Sequence, residues 1–332
     1  MDKPVRIGLL GAGRIGRIHA GSVAAHPRAR LAAITDASAE AAESLAAATG
    51  ATVVAVQAII ADPDIDAVLI CTPTDTHADL IERCAKAGKA VFCEKPVDLD
   101  AERIRACLHT VEETGAPLMI GFNRRFDPSF SALKRRVDAG EIGQVELVTI
   151  LSRDPAPPPL AYIARSGGLF RDMMIHDLDL ARHFLGEEPV EVHAVASCLV
   201  DPAIGEAGDV DTAAVLLKTA SGRIAQISNS RRATYGYDQR IEVHGSLGLL
   251  AAGNRHATTV TFAGAGGYLT DPALPFFLER YAEAYRAELD AFVSGVIEGT
   301  PPAPSGTDGL RAQVLADAAT EAARTGQPAR VG

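Results

Sequence analysis

Val5–Gly16 reads VRIGLLGAGRIG. The apolar run Val5–Leu10 has the length and character of a buried strand. It passes directly into Gly11-Ala12-Gly13-Arg14-Ile15-Gly16, and the stretch to about Ala25 is helix-compatible. A lone GxGxxG means little, but between a strand and a helix it carries a mechanism. Gly11 permits the tight turn, Gly13 lets the backbone approach a pyrophosphate, and Gly16 lets helix and strand pack closely. The helix N-terminus, with Arg14 and Ile15, then faces the phosphates. The competing explanation is a glycine turn that holds nothing.

The pattern continues outward from this loop. A second strand, Ala29–Thr35, ends in Asp36, 36 − 11 = 25 residues after Gly11. That is near the ~20 expected for an acid that accepts from the ribose 2′-OH and repels a 2′-phosphate, so NAD is expected over NADP. Asp36 could also cap a helix that starts near Ser38. Next come a helix over Ala39–Thr49, a strand near Thr52–Val56 and a buried strand over Asp66–Cys71. That third long strand empties into Thr72-Pro73-Thr74-Asp75-Thr76-His77, with a helix following to Ala87. Thr72, Pro73, Thr74 and His77 thus stand where open α/β sheets bind ligands. Ala90–Cys93 is a fourth long strand and Glu94-Lys95-Pro96 stands at its end. A lysine there can hold positive charge beside a substrate oxygen, or can simply occupy a surface turn. Helix Ala101–Thr114 and strand Pro117–Gly121 complete a doubly wound parallel sheet with right-handed crossovers. Residues 1–122 are read as this nucleotide domain.

Gly121–Asp127 (GFNRRFD) marks the crossing into a second domain, 123–332. A helix is expected over Pro128–Ala139. Strands are expected over Val145–Ser152, Val190–Val200, Val210–Thr219, Arg223–Ser230, Gln239–Gly245 and Thr258–Phe262. This pattern is α+β, with a large, open, mostly antiparallel sheet. Asp154–Pro159 (DPAPPP) is too proline-rich for a helix or central strand. Phe277–Glu298 and Gly306–Arg324 read as two closing helices, the last of which is expected to pack back on the first domain. Gly167–Gly186, GGLFRDMMIHDLDLARHFLG, reads as one helix ended by Gly186. On it Asp172, His176, Asp179 and His183 recur at i, i+4, i+7 and i+11 and share a stripe.

The 332 residues carry a net charge of −10, which argues against a nucleic-acid or anionic-membrane partner. At 47% apolar the chain has ample material for a core. No basic-apolar leader opens the sequence and no apolar run approaches ~18 residues. Five cysteines without CxxC or zinc spacing fit reduced thiols, so a cytoplasmic location is expected.

Taken together, GAGRIG at 11–16, EKP at 94–96, GFNRRFD at 121–127 and the D-x-x-x-H pair Asp172/His176 resemble the Gfo/Idh/MocA family of oxidoreductases. The stretches GFNRRFDPSF, SRDPAPPPLAYI and SGGLFRDMMIHDLDLARHFLGEEPVEV are similar to its bacterial inositol 2-dehydrogenases. The resemblance implies a Rossmann domain, NAD as cofactor, and a second domain whose free sheet face makes a homotetramer. It implies a catalytic trio of Lys95, Asp172 and His176, and cofactor contacts that include Glu94, Lys95 and Asn123. It also implies substrate contacts from Arg124, Asp154, Met173 and Tyr235, with Tyr237 in the same loop. Asp154 stands where some inositol enzymes have Asn.

The chemistry agrees. Oxidising a secondary alcohol removes a hydroxyl proton and a hydride from one carbon. His176 is the base best poised near neutrality, with a reference pKa of ~6.5. Asp172 can orient the ring and stabilise the imidazolium, and Lys95 can stabilise the developing alkoxide. The expected reaction is NAD-dependent oxidation of myo-inositol to its 2-keto form. The alternatives are a related dehydrogenase for scyllo-inositol or an aldose, a metal-dependent isomerase or hydrolase using the acidic-histidine stripe, and a non-catalytic NAD sensor. No metal is expected, since the stripe extends over about three turns, too far for one ion. His176 could also be a core histidine bonded to Asp172 or Asp179.

Overall fold

The computed structural model describes residues 3–331. Residues 1, 2 and 332, the outer ends of the two expected domain ranges, lie outside the described residues. The chain forms two compact units. One comprises the residues up to Phe126 together with Ala284–Gln313. The other comprises Asp127–Glu283 together with the residues from Val314 onward.

The first unit contains β1 (Val5–Leu10), β2 (Ala29–Thr35), β3 (Thr52–Val53), β4 (Ala67–Ile70), β5 (Ala90–Glu94) and β6 (Leu118–Gly121). They lie in the order β3-β2-β1-β4-β5-β6, and every pair is parallel. Strand β4, inside the sheet, and β6, at its edge, are buried at every residue, as a sheet covered on both faces requires. The helices are α1 (Arg14–Ala25), α2 (Ala39–Thr49), α3 (Val56–Ala61), α4 (His77–Lys86) and α5 (Ala101–Thr114). The strand expected near Thr52–Val56 stops at Val53. Val56 onward turns into α3, because Ile59 and Ile60 bury as a helical face, Ile59 lying over Gly8. Ile7, Leu9, Ile34, Leu69, Phe92 and Met119 form the core, joined by Leu289, Phe292 and Val293 from late in the chain.

The second unit contains α6 (Pro128–Asp138), β7 (Val145–Arg153), α7 (Leu160–Ser166), α8 (Ile175–Leu185), β8 (Pro189–Ser197) and α9 (Pro202–Glu206). After these come β9 (Thr212–Thr219), β10 (Ile224–Ser230), β11 (Asp238–Gly245) and β12 (Gly248–Ala252). With β15 (Ala329–Arg330) the strands make one sheet in the order β12-β11-β7-β10-β9-β8-β15. It is antiparallel except for the β7–β10 pair. Helix α8 packs on β7 and β10. Cross-strand register sets Val195, Leu216, Ile224 and Leu249 on one face, all exposed.

Three expectations are corrected here. The strand placed at Thr258–Phe262 is instead β13 (Thr261–Gly264), paired only with β14 (Gly267–Thr270) in a separate hairpin turned at Ala265-Gly266. The single helix over Phe277–Glu298 is two, α10 (Phe277–Arg280) and α11 (Ala282–Glu298), before α12 (Gly306–Thr325). The break turns Arg280 inward, where it is 1% exposed, pairs with the buried Asp127 and lies over the Phe130 and Tyr281 rings. A buried guanidinium needs such a partner. The third correction concerns Gly167–Gly186. Its first turn, Leu169–Met173, is π-helical, and α8 begins only at Ile175.

Candidate active site

In the first unit every residue singled out as cofactor-binding lies at the carboxyl ends of the parallel strands. Gly11–Gly16 follows β1, Asp36 follows β2, Thr72–His77 follows β4, Glu94–Lys95 closes β5 and Asn123–Arg124 follows β6. The β1 and β4 ends flank the point where the strand order reverses, the ligand crevice of such sheets. Gly11 has φ +100°, and a Cβ there would come within 2.5 Å of the Cys71 carbonyl oxygen. A Cβ on Gly16 would stand 2.0 Å from the Gly11 carbonyl oxygen. At Gly13 a Cβ would meet nothing within 4 Å. The chain itself therefore gives no reason for glycine at 13. Gly13 is the N-cap of α1, with no side-chain cap and no acid in the first turn. Uncapped amides before open space fit a pyrophosphate.

Asp36 is held by backbone, its Oδ2 accepting from Ala12 N at 2.6 Å and its Oδ1 from Ser38 N at 2.8 Å. The α2 cap is Ser38, not Asp36. His77 is buried, its ring spanning the Pro96 carbonyl (2.7 Å) and the Thr72 carbonyl (2.8 Å), so it ties the β4 and β5 ends together. Arg124 and Asn123 are buried on a single 3₁₀ turn, whereas Lys95 and Glu94 are half-buried. Arg125 pairs with Asp308 at 2.9 Å.

Beneath the β5 end lies a cluster of ionisable groups that the sequence did not reveal. His19, on the inner face of α1, is 0% exposed and its Nε2 lies 2.6 Å from Glu94 Oε1. Its ring meets Phe92 and Tyr285 edge-on, and its Nδ1 has no partner among the described residues. Glu288, on α11, is fully buried, and neither carboxyl oxygen has a hydrogen-bond partner among the described residues. Burial, and secondarily the neighbouring Glu94, push its carboxyl well above the ordinary range. Burial, then Glu94 and Glu288, push the Cys71 thiol up as well.

The second unit holds the other singled-out residues. Gly167 and Gly168 both have positive φ, +85° and +83°, and a Cβ on Gly168 would stand 2.6 Å from Asp209 Oδ1. That oxygen accepts from Leu169 N at 2.9 Å, and Asp209 also faces the buried Arg231 at 3.5 Å. The entry is therefore too wound for a regular α-turn, and Asp172 sits on the π turn rather than on α8 with His176. Such turns recur at functional sites. Asp172 and His176 are half-buried and Met173 is buried. Asp179, by contrast, is 1% exposed and faces Arg182 at 3.6 Å. Asp154 follows β7, its N–H donating to Ser230 O at 3.0 Å. Tyr235 is 49% exposed, donating to Asp238 Oδ2 (2.8 Å) and accepting from Arg153 (3.1 Å). Tyr237 is buried against Phe276 and Tyr281. Tyr162, unmarked in the sequence, donates to Asp172 Oδ1 at 2.8 Å. Among the described residues no group of three or more His, Cys, Asp or Glu side chains is placed to hold a metal ion.

Residues 5–122 match the family model described as oxidoreductase family, NAD-binding Rossmann fold, and residues 130–251 match that of the GFO/IDH/MocA C-terminal domain. Inositol 2-dehydrogenase of Rhizobium meliloti strain 1021 is 61% identical over 315 residues, spanning 95% of this chain and 96% of that protein. Myo-inositol 2-dehydrogenase of Thermotoga maritima is 48% identical over 317 residues, 95% of each. The crystal structure of scyllo-inositol dehydrogenase from Lactobacillus casei with bound NAD(H) and scyllo-inositol superimposes with a TM-score of 0.92 at 32% identity, covering 99% of each chain.

Two outcomes follow from this geometry. Gly13→Ala should fold normally yet lose NAD affinity by ~10-fold or more, ~1.4 kcal/mol, whereas Gly16→Ala should lose both fold stability and binding. Thermal melts and NAD titration of the two variants distinguish them. Glu288 gives a pH signature. Its folded value lies above the unfolded one, so stability present below the ordinary carboxyl value of ~4.3 is lost as pH rises, at up to ~1.4 kcal/mol per unit, until the raised value is reached. Glu288→Gln removes that slope. In denaturant melts between pH 5 and 8 its stability relative to the native chain should climb with pH; a constant difference contradicts a protonated Glu288.

Proposed function

The chain belongs to the Gfo/Idh/MocA family of NAD-dependent oxidoreductases, and from that membership we propose that it oxidises myo-inositol to 2-keto-myo-inositol. The 61% identity to an inositol 2-dehydrogenase over 95% of the chain carries the substrate assignment. Residues 1–122 serve the nucleotide, and 123–332 serve the polyol and the oligomer. NAD, when bound, accepts the hydride.

The chain's own residues handle the proton and the charge. His176 takes the hydroxyl proton as general base. Asp172 orients the imidazole and stabilises the imidazolium that forms. Lys95 offers a fixed positive charge to the developing alkoxide. Arg124, Asp154, Met173 and Tyr235 bind the polyol. Thr72, Pro73, Thr74, His77 and Asn123 line the cofactor side, with Arg14, Ile15 and Glu94. Asp36, already held by two backbone amides, accepts from the ribose 2′-OH and selects NAD over NADP. The likeness to the scyllo-inositol enzyme supports one second reading, oxidation of scyllo-inositol.

The assembly is a homotetramer formed through the open sheet face. The support is the row of exposed apolar side chains there, Val195 at 73% and Leu216 at 48% among them. The enzyme works in the cytoplasm, a reading supported by five free cysteines. No helix among the described residues is long and apolar enough to cross a membrane.

An NADH-production screen over myo-, scyllo- and chiro-inositol and glucose, with NAD and NADP, tests the assignment. Myo-inositol with NAD should be fastest, and a faster scyllo-inositol or aldose reaction replaces it. His176→Ala should cut kcat by ~10²–10⁴ while NAD affinity stays within about twofold. Unchanged turnover removes His176 from the mechanism. In sedimentation, Leu216→Glu should convert a tetramer to smaller species; a native monomer rules out the assembly.

A further inference from the structure

Tyr162 stands near the end of the stretch SRDPAPPPLAYI, where the family resemblance gives it no role, yet its hydroxyl donates to Asp172 Oδ1 at 2.8 Å. The residue lies on α7, a seven-residue helix entered through Pro157–Pro159 and ended by Gly167 in the left-handed conformation. The helix is anchored by other residues. Ile163 is 3% and Ser166 8% exposed, and Ser166 Oγ donates to Ile163 O (3.1 Å) and accepts from Gly168 N (3.2 Å). Tyr162 itself is 46% exposed. Packing therefore gains little from its ring. A half-exposed side chain held in one rotamer loses conformational entropy, and the hydrogen bond to a carboxylate is what offsets that loss.

We propose that Tyr162 is a positioning residue for the proton-transfer step, acting through Asp172. The inference rests on the roles proposed above for Asp172 and His176. Other groups set the backbone of the π turn. Asp209 accepts from Leu169 N, Gly168 makes room for it, and Arg171 Nε donates to Asp317 Oδ1 at 2.6 Å. These fix where the Asp172 Cα stands. The phenol acts on the carboxylate itself, restraining its plane.

Removing the hydroxyl takes one restraint off the Asp172 carboxylate, so the imidazole it orients is aimed less well in the transition state. Tyr162→Phe keeps the half-exposed ring, so its melting curve should match the native one. Its kcat/KM for the polyol should fall roughly tenfold, the loss of a hydrogen bond to a charged group, and the loss should fall on kcat, with KM for the polyol within about twofold. The KM for NAD should stay within about twofold, since Tyr162 lies outside the nucleotide unit. A loss carried by KM overturns the inference, because a direct substrate contact weakens binding whereas a positioning role acts in the transition state. A kcat/KM within about twofold of native overturns it as well. His176→Ala in the same assays separates the two levels. If that variant retains turnover, the reaction assignment fails; if it is dead and Tyr162→Phe is silent, only the role of Tyr162 fails.

Discussion

The approach of α1 to β1 is the constraint from which the nucleotide half follows. With no Cβ at Gly16, the first turn of the helix comes against the Gly11 carbonyl, where a methyl group would stand at 2.0 Å. That seating does two things. It leaves the uncapped amides of α1 at the strand ends, where phosphate charge is favoured. It also carries His19, three residues further along, into the core, where it reaches Glu94 at the end of a strand two places away in the sheet. The glycine loop after β1 and the tripeptide that bears Lys95 are therefore parts of one packed assembly.

A comparable close approach sets the geometry of the second unit. At Gly168 the intruding group is the Asp209 carboxylate, which would lie 2.6 Å from a Cβ and bonds the next backbone amide. A regular α-helix entered there would continue the α8 register and set Asp172 and His176 one turn apart on a common face. Asp172 stands instead on a π turn, where it meets Tyr162 of α7. Pinning by Asp209 and Arg231 costs one buried and one partly buried charge, tolerable because they face each other and the carboxylate also takes a backbone donor.

Much of this was legible in the sequence, for physical reasons. Strands buried on both faces read as apolar runs, so β1, β2, β4, β5 and β6 stood out, and the glycine spacing marked where helix meets strand. The second sheet was legible from its alternation. Short pieces were legible only in part. The strand expected near Thr52–Val56 is present but stops at Val53, and the helices α3, α7 and α9 span too few residues for a period to show. The split at Tyr281 and the π turn at 169–173 depend on groups far away in sequence, Asp127 and Asp209, which no local pattern contains. The same holds for the site. Lys95, Asp172 and His176 carry recognisable motifs. His19 offers at best a weak signal, a histidine on the inner face of a glycine-led helix. Glu288 offers none, since an acid inside a helix rich in Glu and Asp looks like solvated surface. Tyr162, next to a proline run, looks like a loop residue.

The buried ionisable groups obey one rule on both sides of the chain. Burying a charge is costly unless it is paired, and a second like charge nearby is costlier still. Below β5, Glu94 is bonded to His19, so Glu288 and Cys71 remain protonated. On α8, Asp177 accepts from Asn229 at 2.9 Å and Asp179 faces Arg182, so each of these buried carboxylates has a partner. The half-buried Asp172 carboxylate is met by the Tyr162 phenol. If His176 takes a proton as proposed, a carboxylate already held in direction meets the new positive charge with less reorganisation.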